Sequence, residues 1–513
     1  MLMLNEDCNH FAYSRTPDEM TPEGVDALVD RYAKDTRVTD LLFNVNGMRS
    51  SVPSAVKQVF WDGFDPEAGD DQSYFAHVPD YERPIIRKWV GNMLLMEQRG
   101  IDPYARWLAR GRALGVRGWI SVRMNDIHCV DVRGHMMHDR IWEDHPEYWR
   151  ELEREFESPI DRALDYGHAA VREHYLAYIR ELAERYDMDG LELDFMRQPY
   201  NFRAGHEAEG ATLMTALVRQ VREMTQARGV RLAVRVPGWP ETARRLGLDA
   251  AAWAREGLID HLIISSIFST CDNDMPVEEW KAQLYETKVA LLTSLEYSLS
   301  PFPQARVRPH TTDTLRGTAA GYLDRGADGL YLFNFMDRAG VYVSDALLHT
   351  ATHLTVAGAE PRRHILTFTD SHAPGEPQRV RLPQAIQRYG YRPSAEFRLP
   401  TGPSPLDGQP VELRIGLEIA DQPPVFGRYA LYMGRLMHIE TEPLPDAVAN
   451  QLIVRVNGTV CPFARPLIPD AESGATHAYT VPPGALHRGD NVIEVSNPTD
   501  LTAQAVWVEI AVG

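Results

Sequence analysis

The sequence predicts an α/β fold: a (β/α)8 TIM barrel over residues 1–355, followed by an antiparallel β-sandwich domain over residues 360–513. Three observations carry this. Short apolar, β-rich runs alternate with stretches of helical spacing until eight strands have passed. From about residue 360 the helical period stops, and short alternating runs punctuated by proline and glycine replace it. The 513 residues exceed what one ordinary domain holds.

The strands are read in order at residues 1–6, 40–46, 118–123, 189–195, 231–236, 261–266, 289–296 and 328–335. Thr21-Pro22-Glu23 opens a helix, with a capping hydroxyl and a proline in the first turn. Apolar positions recur at helical spacing over 169–186, 209–228, 249–256 and 312–325. No G-x-G-x-x-G turn follows the first strand, which counts against a doubly wound open sheet. Two long insertions, 47–105 and 124–165, leave the C-terminal ends of strands two and three, the face on which such barrels carry their sites. The sandwich is read from the alternating runs 411–415, 451–456 and 491–495.

The net charge of -19 excludes nucleic acid as the expected partner, because phosphate binding calls for a basic surface. Cys8, Cys129, Cys271 and Cys461 are scattered and form no C-x-x-C pair, so neither a disulfide framework nor a zinc ribbon is expected. The chain shows no charged n-region, no apolar h-region and no run of about 18 apolar residues. The expectation is a cytoplasmic protein that does not engage a membrane, although a leader removed beforehand would leave the same sequence. Oligomeric state stays open.

Strand four holds the most chemistry. Side chains alternate across a strand, so Glu192 and Asp194 share one face and Leu191, Leu193 and Phe195 the other. With the leucine face on the helices, two carboxylates point into the barrel, their Cα atoms roughly 6.6 Å apart. Inward acids are costly to desolvate without partners. Asp194, at the strand's C-terminal end, is the first catalytic candidate; Glu192, one step deeper, either orients its neighbours or pairs with an arginine. The other strand ends bring Glu6, Asp7, Asn46, Arg123, Asn125, Arg235, Trp239, Glu296, Tyr297 and Asn334, and Arg197 follows Asp194 by three residues. Carboxylates and arginines bond sugar hydroxyls and aromatic faces pack on sugar rings, so these residues are expected to bind a hydroxyl-rich ligand.

The segment Asp189-Gly190-Leu191-Glu192-Leu193-Asp194-Phe195 resembles the strand-four signature of glycoside-hydrolase-like barrels, and its Asp-Gly-x-x-x-Asp spacing is similar to that of chitinase-like families. Residues 484–495 resemble the last strands of jelly-roll domains appended to sugar-cleaving enzymes. Two departures stand out. Met196 occupies the position where chitinase-like enzymes place a catalytic glutamate, and no Asn-Glu pair ends strand four. The resemblance implies a glycoside hydrolase that cleaves an oligosaccharide or polysaccharide fragment with paired carboxyl groups. The partner of Asp194 is then Glu296 first, Asp272 or Asp274 after strand six second, and Glu192 third.

No cofactor is expected. His128, His135, His138 and His145 fit no metal motif, and there is no H-E-x-x-H, so no metal is expected either. Two rival readings stay open: a carbohydrate-binding barrel without catalysis, and a lyase or aldolase, though no strand end carries a lysine. Arg123, Arg197 and Arg235 either neutralise the nearby acids or leave one guanidinium face for a carboxylate or sulfate on an anionic sugar.

Overall fold

Strands of a parallel barrel are buried on both faces and therefore read as nearly continuous apolar runs. Runs such as Leu41-Leu42-Phe43 and Leu262-Ile263-Ile264 do so here. In the computed structural model they form β1 (Leu2–Glu6), β2 (Asp40–Asn44), β3 (Arg117–Arg123), β4 (Gly190–Asp194), β5 (Arg231–Pro237), β6 (His261–Ser265), β7 (Ala290–Glu296) and β8 (Gly329–Phe333). Each pairs in parallel with the next, and β8 closes on β1. The structure describes residues 1–513 except 154, 339–342, 355–359, 389–392, 421–428, 433–434, 439–442 and 471–473.

The barrel interior is filled, not open. Met3, Leu42, Trp119, Ala233, Ile263, Leu292, Tyr331 and Phe333 pack inside it. Trp119 fits because its neighbour on β4 is glycine: a Cβ on Gly190 would lie 2.0 Å from the indole ring. The indole N–H donates to Asp40 at 2.8 Å, and Arg117 pairs with the same carboxylate at 2.6 Å. Gly190→Ala therefore forces a methyl into a packed layer. We expect it to cost about 1–3 kcal/mol, the usual range for overpacking, read by urea unfolding of the intact chain; an unchanged midpoint would show that the layer can yield.

Helices lie where helical spacing occurs in the sequence, among them Pro22–Ala33, Ala169–Arg185, Glu207–Gln226, Ala250–Arg255 and Thr312–Asp324. The Thr21 hydroxyl accepts from the Gly24 amide and caps the first of these. No described helix is long and apolar enough to cross a membrane.

Beyond the barrel come two antiparallel sheets. One orders Arg362–Ile365, Ala503–Val512, Val411–Ile419, Gly474–Thr480 and Phe463–Asp470, with Gln384–Ile386 also paired to Ala503–Val512. The other orders Ala395–Thr401, Gly489–Ser496, Ile453–Val456 and Thr459–Val460. Phe397, Leu413, Ile415, Val454, Ile493, Val508 and Ile510 share one apolar core. The junction expected between 355 and 360 falls almost wholly on 355–359, which lie outside the described residues.

The two halves touch closely. Gly317 brings helix Thr312–Asp324 against Arg362–Ile365 so tightly that a Cβ would lie 2.0 Å from the Arg363 carbonyl oxygen. Residues 366–378 then reach the C-terminal rim of the barrel. Asp370 accepts the backbone amides of Ile267, Phe268 and Ser269 at 2.9, 3.0 and 2.9 Å. The Tyr200 hydroxyl donates to the His372 carbonyl at 3.0 Å, and Thr242 donates to Glu376 at 2.8 Å.

Candidate active site

Register decides which side chains meet. Arg123, Asp194 and Arg235 stand opposite one another on β3, β4 and β5, so a guanidinium flanks the carboxylate on either side. Across the barrel, Glu296 on β7 pairs with Phe333 on β8.

Arg235 is the hub. Its side chain is wholly buried. Nη1 donates to both oxygens of Asp194, at 3.1 and 3.2 Å, and Nη2 to Glu296 at 3.4 Å. Nε donates to Ser265 at 3.1 Å, and the guanidinium lies 3.7 Å from the centre of the Phe333 ring. Asp194 also accepts the Met196 amide at 2.8 Å. One cation thus spans carboxyl groups that come from strands four and seven.

The carboxyl groups are not equivalent. Burial pushes Glu296 up to about 8, opposed by Arg235 and reinforced by Asp370 and Asp194. At neutral pH it is therefore mainly a protonated acid. Its Oε2 is buried and has no hydrogen-bond partner among the described residues. Burial and the nearby Asp194 push Glu192 up to about 7; it sits one layer deeper and accepts the Tyr331 hydroxyl at 3.1 Å.

A second set of charges lines the other side of the mouth. Arg123 donates to Asp7 at 2.8 Å. Burial would raise Asp7, but Arg123 and Arg197 outweigh it and hold the group at about 2. Asp126 lies 3.9 Å from Arg123 and 2.7 Å from His128 Nδ1. Burial disfavours its charge, yet His128 and Arg123 keep it well below the usual carboxylate range. Arg197 Nη2 contacts His128 Nε2 at 3.0 Å. Arginine has only donors, so Nε2 is the acceptor and the ring proton sits on Nδ1, facing Asp126.

Several residues expected to bind ligand serve the scaffold instead. Met3 faces the interior, so by alternation Glu6 faces the helices, where it accepts from His10 at 2.5 Å and Tyr32 at 2.8 Å. Asn46 donates to the Arg123 carbonyl at 3.0 Å and accepts the Arg123 amide at 3.1 Å. Asn125 bonds both backbone groups of Leu164, at 2.9 and 3.1 Å. Trp239 donates to Asp272 at 3.3 Å and Thr369 at 3.0 Å, with the Arg379 guanidinium 4.0 Å from its ring. Tyr297 and Asn334 stay half-buried at the rim, Asn334 with a left-handed backbone (φ 61) that asparagine tolerates.

Asp272 and Asp274 are also spent on structure. Asp272 is buried and accepts the Thr369 hydroxyl at 2.7 Å; Asp274 pairs with Arg398 at 2.5 Å and Arg381 at 3.3 Å. Both fasten the barrel to residues beyond it, which removes them as the preferred alternatives to Glu296. Among the described residues no cluster of three or more His, Cys, Asp or Glu side chains is disposed to hold a metal ion. His138 bonds Glu143, and His145 bonds Glu147. Sequence reasoning missed Asp370 and Phe268, whose ring is 42% exposed at the rim.

No protein-family model matches the chain, and no curated protein matches it in sequence. The fold is similar to that of glycoside hydrolases. The PgaB (BpsB) glycoside hydrolase domain from Bordetella bronchiseptica is 12% identical, over 69% of this chain and 99% of that one, with a TM-score of 0.41. Alpha-L-fucosidase isoenzyme 1 from Paenibacillus thiaminolyticus is 10% identical over 97% and 96%, with a TM-score of 0.33. A cycloisomaltooligosaccharide glucanotransferase from Paenibacillus sp. is 8% identical over 99% of this chain, which spans 57% of that enzyme's length, with a TM-score of 0.31. These overlays are loose, and what the pocket does is decided by its own side chains.

Proposed function

We propose that the protein is a glycoside hydrolase acting on an oligosaccharide or polysaccharide fragment, with Glu296 as the general acid and Asp194 as the nucleophile or base. One observation carries this reading. Arg235 holds both carboxyl groups at the C-terminal mouth, while burial favours the protonated form of Glu296, whose Oε2 has no hydrogen-bond partner among the described residues.

Glycosidic cleavage requires a proton on the departing oxygen and negative charge beside the sugar carbon. Glu296 supplies the first as the carbon–oxygen bond breaks. The carboxylate it becomes lies against Arg235 Nη2, which stabilises that new charge. Asp194 supplies the second, either attacking the sugar carbon or drawing a proton from water. Glu192, tied to Tyr331 one layer below, sets the field around Asp194. The sandwich braces the rim through residues 366–378.

Glu296→Gln tests the assignment. Cleavage of sugar-to-sugar bonds should fall at least about a hundredfold, the lower range for losing an acid–base group. Aryl glycosides whose leaving group needs no proton should keep near-normal rates. Wild-type kcat/KM should decline as pH rises through about 8, the pH at which Glu296 loses its proton, and with aryl substrates this decline should be absent from the variant. Undiminished cleavage of sugar-to-sugar bonds by Glu296→Gln overturns the proposal.

Stability should follow the same group. Its folded pKa of about 8 lies above the ordinary 4.5, so its contribution is complete below about 4.5 and is lost as pH rises through about 8. In urea unfolding, the glutamine variant should gain on the wild type across that window.

A further inference from the structure

Three guanidinium groups surround the mouth, and two are paired with acidic side chains. Arg235 is shared between Asp194 and Glu296, and Arg123 is held by Asp7. Arg197 is different. It follows β4 by three residues, is half-buried, and among the described residues forms no ion pair; the hydrogen bond found for it goes to His128 Nε2.

The nearby carboxylates each have another partner, Asp7 in Arg123, Asp126 in His128 and Asp194 in Arg235, and among the described residues none of them pairs with Arg197. Burial and repulsion from Arg123 both work against its charge. A guanidinium carries five N–H donors in a planar fork that matches a carboxylate or sulfate. Here the hydrogen bond found among the described residues uses one donor, on the imidazole of His128. The group lies 5.8 Å from the centre of the Phe268 ring, an exposed aromatic surface, and acts electrostatically on Asp7, Asp126, Asp194 and Glu296. A cation with unspent donors thus stands beside an aromatic surface, three residues beyond Asp194 at the end of β4. A protein of net charge -19 needs such a local positive site to admit an anion.

Resting on the glycoside hydrolase reading, we infer that Arg197 receives an oxyanion, a carboxylate or a sulfate, on the sugar bound next to Asp194, with Phe268 beside that ring. His128, fixed by Asp126, holds the guanidinium edge in place, and the remaining N–H groups of Arg197 face the ligand.

The test is binding, which does not depend on cleavage. Glucuronic acid, glucose 6-sulfate and glucose are titrated calorimetrically into the wild-type chain, Arg197→Ala and Arg197→Lys. The wild type should bind at least one of the two anionic sugars about tenfold or more tightly than glucose; whichever of them shows the preference identifies the oxyanion. Arg197→Ala should remove the preference while leaving glucose binding within about twofold, and Arg197→Lys should keep only part of it, having charge without the fork. Equal affinities for all three sugars, no binding by either anionic one, or a preference that survives in Arg197→Ala overturns the inference. Hydrolysis of neutral glycans without any anionic preference would defeat this inference alone, whereas a preference without hydrolysis of any glycan would defeat the hydrolase reading alone.

Discussion

Replacing Asp194 with asparagine is expected to lower turnover at least about a hundredfold, and by more if the group is a nucleophile, while the chain stays folded. The amide is nearly isosteric and can still accept from Arg235 and from the Met196 amide, so the contacts that seat the side chain survive. What disappears is the negative charge beside the sugar carbon. A second effect follows from the shared cation. Asp194 is among the groups that raise Glu296, and Arg235 opposes them. With Asp194 neutral, Arg235 acts on Glu296 alone and Glu296 should release its proton more easily, so any residual activity should decline at a lower pH than the wild type's limb near 8. The measurement is kcat against pH, with circular dichroism to establish folding. Near-normal turnover would remove Asp194 from the chemistry, and an unmoved limb would mean that Glu296 is not the group titrating near 8.

Arg235→Met should bring the largest loss of stability, about 3–5 kcal/mol, because removing one partner of a buried ion pair strands the other charge. Two carboxyl groups lose their donor at once, and neither is exposed by more than 2%. Phe333 also loses the guanidinium stacked 3.7 Å from its centre. Catalysis should vanish with the geometry. Arg235→Lys keeps the charge but cannot span both acids, so it should fall between the two. The double variant Arg235→Met with Asp194→Asn should regain part of the loss, since the stranded charge is gone. Urea unfolding at neutral pH gives these values; a loss under about 1 kcal/mol for Arg235→Met would mean that water reaches the pair and screens it.

The barrel was legible because each strand is buried on both faces, and the apolar runs around Phe43, Ile264 and Leu292 end where polar side chains begin. That Asp194 and Glu296 lie at the mouth could be read from those ends, since inward side chains at the C-terminal ends of barrel strands line that rim. Glu6 could not be placed, because Leu2-Met3-Leu4 is apolar on both faces and conceals which side of β1 points inward. Asp272 and Asp274 looked available for a similar reason: their partners Thr369, Arg381 and Arg398 lie about a hundred residues further on, in a part of the chain with no pattern linking it to strand six. Asp370 escaped notice because a lone acid in a connecting segment carries no period.

That last residue ties the protonation of Glu296 to the other half of the chain. Asp370 belongs to the segment running into the sandwich, yet it clamps the amides that carry Phe268 and helps Glu296 hold its proton. The sandwich is therefore not a loose attachment to the barrel. A graft that changed position 370 would alter the field at Glu296 and loosen the aromatic rim together.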